Sequence, residues 1–163
     1  MLAPFLIFAV GNESRGDDAL GPLLLRELEF WLMASDLADQ FELLEEFQLQ
    51  VEHAMDMKGR LLVLFIDASI NSSAPFSFYR TQASDTPVLY SHALAPEALL
   101  KVYAQFYHEN PPTVFILGVS GESFELGEGL STRAAEHLTA ALEFSKKLLH
   151  QATVADWDNL CTH

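Results

Sequence analysis

The chain has 163 residues, half of them hydrophobic, with 23 acidic against 9 basic side chains and a formal charge of −14. That length suits one domain with a proper core, and the charge argues against nucleic acid and anionic membrane surfaces as partners. A single cysteine, Cys161, excludes an intrachain disulfide and a cysteine-based zinc site, and no apolar stretch approaches the length of a membrane span.

The first apolar run, residues 5–10, lacks a basic leader and stops at Gly11 without a small-x-small cleavage pattern. It reads as a buried strand rather than a signal peptide, and the expected location is cytoplasmic. The run feeds directly into Gly11-Asn12-Glu13-Ser14-Arg15-Gly16-Asp17-Asp18-Ala19-Leu20-Gly21. Leu20, Leu23, Leu24, Leu28, Trp31 and Leu32 then recur at helical spacing, which predicts a helix over about 19–37. The glycine-rich turn therefore joins a strand to a helix, where open α/β sheets bind ligands. Neither phosphate-binding glycine pattern is present, and Asp17 and Asp18 would repel a phosphate. The pair is better matched to a cation, or to capping the helix.

An acid-rich connection follows, and residues 47–52 alternate apolar and polar as a half-exposed strand would. Residues 55–59 read as a short turn or helical connection. Residues 61–66 form a solid apolar run that suits a central strand buried on both faces and ending at Asp67. Residues 76–80 predict a peripheral strand, and 81–90 a loop. Pro96 is placed to open a helix that ends before Asn110-Pro111-Pro112. Residues 113–119 predict another buried strand, followed by a loop with Gly121, Gly127 and Gly129. A last helix runs to Leu149 with Ala135, Leu138, Leu142 and Leu149 inward. Residues 151–163 read as a loosely held tail on which Trp157 can dock. Strands alternating with helices imply an α/β fold with a doubly wound, mostly parallel sheet and helices on both faces, in one domain spanning 1–163.

Three candidate ligands converge on the carboxyl edge of such a sheet: Asp18 after the first strand, Asp67 at the end of the third, and His92 before Pro96. Two carboxylates and an imidazole form an open site for zinc, nickel, iron or manganese. Other chemistries are poorly served. The H-E-x-x-H motif is absent, and Gly118-Val119-Ser120-Gly121-Glu122 fails the nucleophile-elbow pattern at its last position. Cys161 lies in the expected tail. Glu122, Glu125 and Glu128 offer an acid–base pair or a solvated loop face.

Four blocks in this order resemble the endopeptidases that mature nickel–iron hydrogenases. They are the opening strand with Gly11-Asn12-x4-Asp17-Asp18-x2-Gly21, then Ile66-Asp67-Ala68, then Ser91-His92-x3-Pro96, and finally Gly118-x2-Gly121-x3-Glu125-Leu126-Gly127-x-Gly129-Leu130-Ser131. Together they span residues 5–150. The resemblance implies a three-layer α/β/α sandwich around a twisted sheet. It also implies an endopeptidase that removes a C-terminal extension from the nickel-loaded precursor of a hydrogenase large subunit. Asp18, Asp67 and His92 would be its catalytic and metal-contacting residues. The metal would be nickel borne by the substrate, with no organic cofactor, and the enzyme a monomer. Two positions depart from the pattern: Asp18 stands where some members have Glu, and Ala95 where a Ser or Thr cap is expected. Asp17 is expected to orient the loop rather than bind metal. The competing expectation is a non-enzymatic, flavodoxin-like binding module for a metal-centre assembly partner; a weaker one is a metal hydrolase acting on a small molecule.

Overall fold

A computed structural model describes residues 1–70, 72–84 and 94–162. Five strands, β1 (Phe5–Val10), β2 (Phe41–Glu46), β3 (Leu62–Ser69), β4 (Phe76–Thr81) and β5 (Thr113–Ser120), form a sheet of order β2-β1-β3-β5-β4. The first three and β5 are parallel; β4 lies antiparallel to β5 at one edge. β3 is central because its apolar run can be buried on both faces, as parallel strands covered by helices must be.

Alternation along the strands divides the core. Ile7, Leu64, Ile66, Phe115 and Leu117 pack under α1 (Leu20–Met33), α4 (Thr132–His150) and α5 (Val154–Leu160). Leu6, Phe8, Val63, Phe65 and Ile116 pack under α2 (Ala54–Met57) and α3 (Pro96–Tyr107). The result is the expected three-layer arrangement. Each fully buried leucine or phenylalanine on these faces contributes about 1.5–3 kcal/mol through area removed from water.

Several sequence expectations differ from what forms. The second strand is Phe41–Glu46, not 47–52; it pairs with β1 from Phe5↔Phe41 to Val10↔Glu46. Phe47 and Val51 of the alternating stretch are exposed, and only Leu49 of its apolar residues is buried. The segment's period of two is therefore incidental, and β1 recruits the more acidic run before it. The first helix stops at Met33 rather than Leu37, because the Ser35 amide and hydroxyl both bond the Leu32 carbonyl at 2.9 Å and turn the chain. β3 continues two residues past Asp67 to Ser69, paired with Ser120 of β5. On α4 the buried residues are Ala134, His137, Ala141, Ser145, Leu148 and, as expected, Leu149, whereas Ala135 is exposed and Leu138 and Leu142 only half-buried.

The C-terminal segment is not a loose tail. Thr153 caps α5 by accepting the Asp156 amide at 3.0 Å. The Trp157 ring is 1 % exposed, packs on Phe78 and Phe115, and donates Nε1–H to the Leu148 carbonyl at 2.9 Å. Beyond it, Thr162 exchanges hydrogen bonds with Phe78, its amide donating to the carbonyl and its hydroxyl accepting from the amide, each at 2.8 Å. That contact blunts the outer edge of β4, which would otherwise offer unpaired backbone groups. Among the described residues no helix is long and apolar enough to cross a membrane.

Candidate active site

The glycine-rich turn builds the first half of the site. After Val10 the chain folds back through a turn in which the Arg15 amide donates to the Asn12 carbonyl at 3.1 Å. A 3-10 turn over Gly16–Ala19 then leads into α1. Gly16 has φ 54°, and a Cβ there would stand 2.5 Å from the Ser123 carbonyl oxygen. Gly21 seats the first turn of α1 on the sheet: a Cβ would lie 2.6 Å from the Val10 oxygen and 3.1 Å from the Ile66 oxygen. Only glycine allows these approaches. They hold Asp18 over the carboxyl ends of β1 and β3. Its Oδ2 accepts the Asn12 amide at 2.8 Å.

The second half is Asp67. Alternation along β3 sends it to the α2/α3 face, since Ile66 before it and Ala68 after it pack on the opposite one. Its Oδ1 accepts the Ala68 amide at 2.8 Å. Burial and the nearby Asp18 charge push its pKa up to about 7, against the opposing effect of that hydrogen bond. The structure thus brings Asp18 and Asp67 together, each carboxylate accepting one backbone amide and Asp67 shifted upward by burial and by its neighbour. His92 lies outside the described residues, as do Ser91 and Ala93. Among the described residues no group of three or more His, Cys, Asp or Glu side chains could hold a metal. Two carboxylates are hard oxygen donors suited to sharing a divalent cation with further ligands rather than enclosing one.

A cleft opens beside Asp67 on the α3 side, its described lining including Ser77, Tyr79, Leu94, Glu97 and Ile116. Burial and the charges of Glu97 and Asp67 raise the Tyr79 hydroxyl above its ordinary pKa. Glu97 is held by the Thr81 hydroxyl at 2.8 Å. Tyr79 and Glu97 carry no signal in the sequence: an antiparallel edge strand and the start of α3 bring them to Asp67 across the fold.

Asp17 does not sit with Asp18. Neither aspartate caps the helix through its side chain. The Asp17 carboxylate is fully buried, and burial alone would raise its pKa. Bonds from the Ser131, Glu122 and Ser123 amides and the Ser131 hydroxyl outweigh that and hold it below the ordinary range.

Other candidates fall away. Glu122 pairs with Arg133 at 3.3 Å and Glu128 accepts the Ser123 hydroxyl at 2.8 Å, so these acids form a solvated loop face. Ser120 has the buried His137 beside it, but Nδ1 meets its backbone carbonyl at 2.7 Å rather than its hydroxyl. The Cys161 thiol is pushed up by burial and lies 3.5 Å from the Trp157 carbonyl.

No family model and no curated protein matches the chain. Solved structures do. The hydrogenase maturating endopeptidase HybD from E. coli is 25 % identical with a TM-score of 0.72, over 91 % of this chain and 93 % of its own. The [NiFe] hydrogenase maturation protease HycI from Thermococcus kodakarensis KOD1 gives 19 % identity and a TM-score of 0.66, over 91 % and 94 %. A hydrogenase 2 maturation peptidase from a Thaumarchaeota archaeon gives 23 % and 0.61, over 90 % and 97 %. The mostly parallel sheet and its covering helices make the same three-layer α/β fold as these structures. These likenesses run nearly end to end, so the chain has the fold of the hydrogenase maturation endopeptidases.

Proposed function

We propose that this chain is an endopeptidase that removes a C-terminal extension from the nickel-loaded precursor of a nickel–iron hydrogenase large subunit. The observation that carries the reading is the meeting of Asp18 and Asp67 at the carboxyl edge of the sheet, beside an open cleft, in a fold shared with maturation proteases. In this reading Asp18, Asp67 and His92 contact the nickel that the precursor already holds. Leu94, two residues after His92, lines the same cleft, which supports that grouping.

The two carboxylates supply negative oxygen donors on one side of the substrate-borne ion. Docking on it lays the scissile peptide along the cleft and polarises either its carbonyl or a water. Because Asp67 holds its proton up to about pH 7, contact with the cation below that pH displaces a proton. In this reading nickel makes the ionised pair favourable, whereas beside a precursor lacking nickel Asp67 keeps its proton and the pair has no cation to hold.

The test is the intact mass of the nickel-loaded precursor with and without the protein, against the nickel-free precursor. Loss of a C-terminal peptide from the loaded form alone is expected. Loss from both keeps the protease and removes the metal-reading role. No loss from any client precursor overturns the reading in favour of a binding module.

A further inference from the structure

One buried carboxylate ties the turn that carries Asp18 to the loop between β5 and α4. Asp17 Oδ2 accepts the Glu122 amide at 2.7 Å, the Ser123 amide at 3.2 Å and the Ser131 hydroxyl at 2.8 Å; its Oδ1 accepts the Ser131 amide at 2.7 Å. These donors come from both ends of the loop. Backbone bonds complete the seam: Asp17 N–H to the Ser123 carbonyl at 2.8 Å, Gly16 N–H to Glu128 at 3.1 Å, and Gly127 N–H to Ser14 at 2.7 Å. Gly121 packs against the same side chain, where a Cβ would stand 2.9 Å from the Asp17 Cβ.

The chemistry requires a carboxylate. Every one of the four partners is a donor, so an asparagine would set its own N–H groups against at least one of them. Charge-assisted bonds are also the stronger kind. The loop is exposed at Glu125, Leu126 and Glu128.

We propose that Asp17 is a positioning residue: it makes the β5–α4 loop and the Asp18 turn a single unit, so that a protein substrate engaging the loop's exposed rim sets the position of Asp18 against Asp67. The inference rests on the preceding reading in taking Asp18 as the group that meets substrate. Asp18 follows Asp17 directly and is tied to the Asn12 amide by a bond that the Asp17 contacts do not themselves make. That amide reports whether the coupling exists.

Amide hydrogen exchange of the full chain, resolved by residue and without substrate, gives a test independent of activity. Asp17→Asn should speed exchange at least tenfold at Glu122, Ser123 and Ser131, and also at Asn12, while Phe65 in β3 is unchanged. Gly121→Ala keeps the charge and pushes on the Asp17 Cβ from the loop side; it should produce the same paired change. Faster exchange confined to the loop, with Asn12 unaffected in either variant, overturns the coupling. With nickel-loaded precursor, Asp17→Asn should lower kcat at least tenfold and leave KM within twofold. A raised KM at unchanged kcat would make the loop a simple binding element and overturn the positioning role. If the wild-type protein cleaves no precursor, it is the protease reading that fails, and the exchange data still judge the coupling.

Discussion

Asp17 and Asp18 are identical neighbours with opposite fates. Asp17 points into the protein and meets four donors; Asp18 stays at the sheet edge with one amide and a second carboxylate nearby. The proposed metal contact predicts that Asp18→Asn or His92→Ala lowers precursor cleavage by at least about a hundredfold. The far-ultraviolet circular dichroism and melting temperature should stay near wild type; full activity in both variants would refute the site. Asp67 makes a pH prediction with a definite sign. Its folded pKa of about 7 lies above the ordinary 3.8, so between about pH 4 and 7 the folded protein holds a proton that the unfolded chain has lost. Stability therefore falls as pH rises through that window and is flat above it. Asp67→Asn keeps the oxygen that accepts the Ala68 amide and removes the charge. It should stabilise the protein by up to about 4 kcal/mol at pH 8 and by little at pH 4, read from urea denaturation at both values.

The helix that follows the glycine-rich turn is placed by contact with two strand ends. Gly21 gives α1 its approach to the carbonyls of Val10 and Ile66. Gly21→Ala should cost about 1–3 kcal/mol through overpacking, measured as a lower urea midpoint at unchanged slope. The same substitution should impair cleavage, because raising the first turn of α1 moves Asp18. α5 is the counterpart at the other end of the chain. Trp157→Ala removes a buried ring and its bond to Leu148 and should cost about 3–5 kcal/mol. A melting temperature unchanged by that substitution would mean that α5 does not belong to the core.

Across the whole molecule, the α/β alternation, the central strand (read at 61–66 and formed over Leu62–Ser69) and the glycine-rich turn were legible in the sequence because each rests on a local signal. A doubly apolar run demands burial on both faces, and a strand-to-helix turn with three glycines demands close backbone approach. Asp18 and Asp67 could be nominated for a related reason: Asp67 ends one apolar run and Asp18 lies in the turn that follows another, and the two runs must lie side by side. The second strand was not legible. Residues 47–52 alternate more cleanly than 41–46, yet register with β1, a non-local choice, selects the acidic run. Trp157 could be nominated to dock, but the ordered helix α5 around it was hidden, because a single tryptophan in a polar segment carries no periodicity and its burial depends on Phe78 and Phe115 arriving from elsewhere. Tyr79 and Glu97 reach Asp67 only through the antiparallel placement of β4 and the start of α3. By itself, then, the sequence determined the class of fold, its central strand and the acid pair at its edge, since local patterning and backbone sterics act within a few residues. Only the tertiary structure decided which edge strand pairs, where the C-terminal helix lies, and through which four donors Asp17 holds its loop while Asp18 stays beside Asp67. Those outcomes depend on partners distant in the chain: Phe41 pairs with Phe5, Trp157 packs on Phe78 and Phe115, and the Asp17 donors lie more than a hundred residues away.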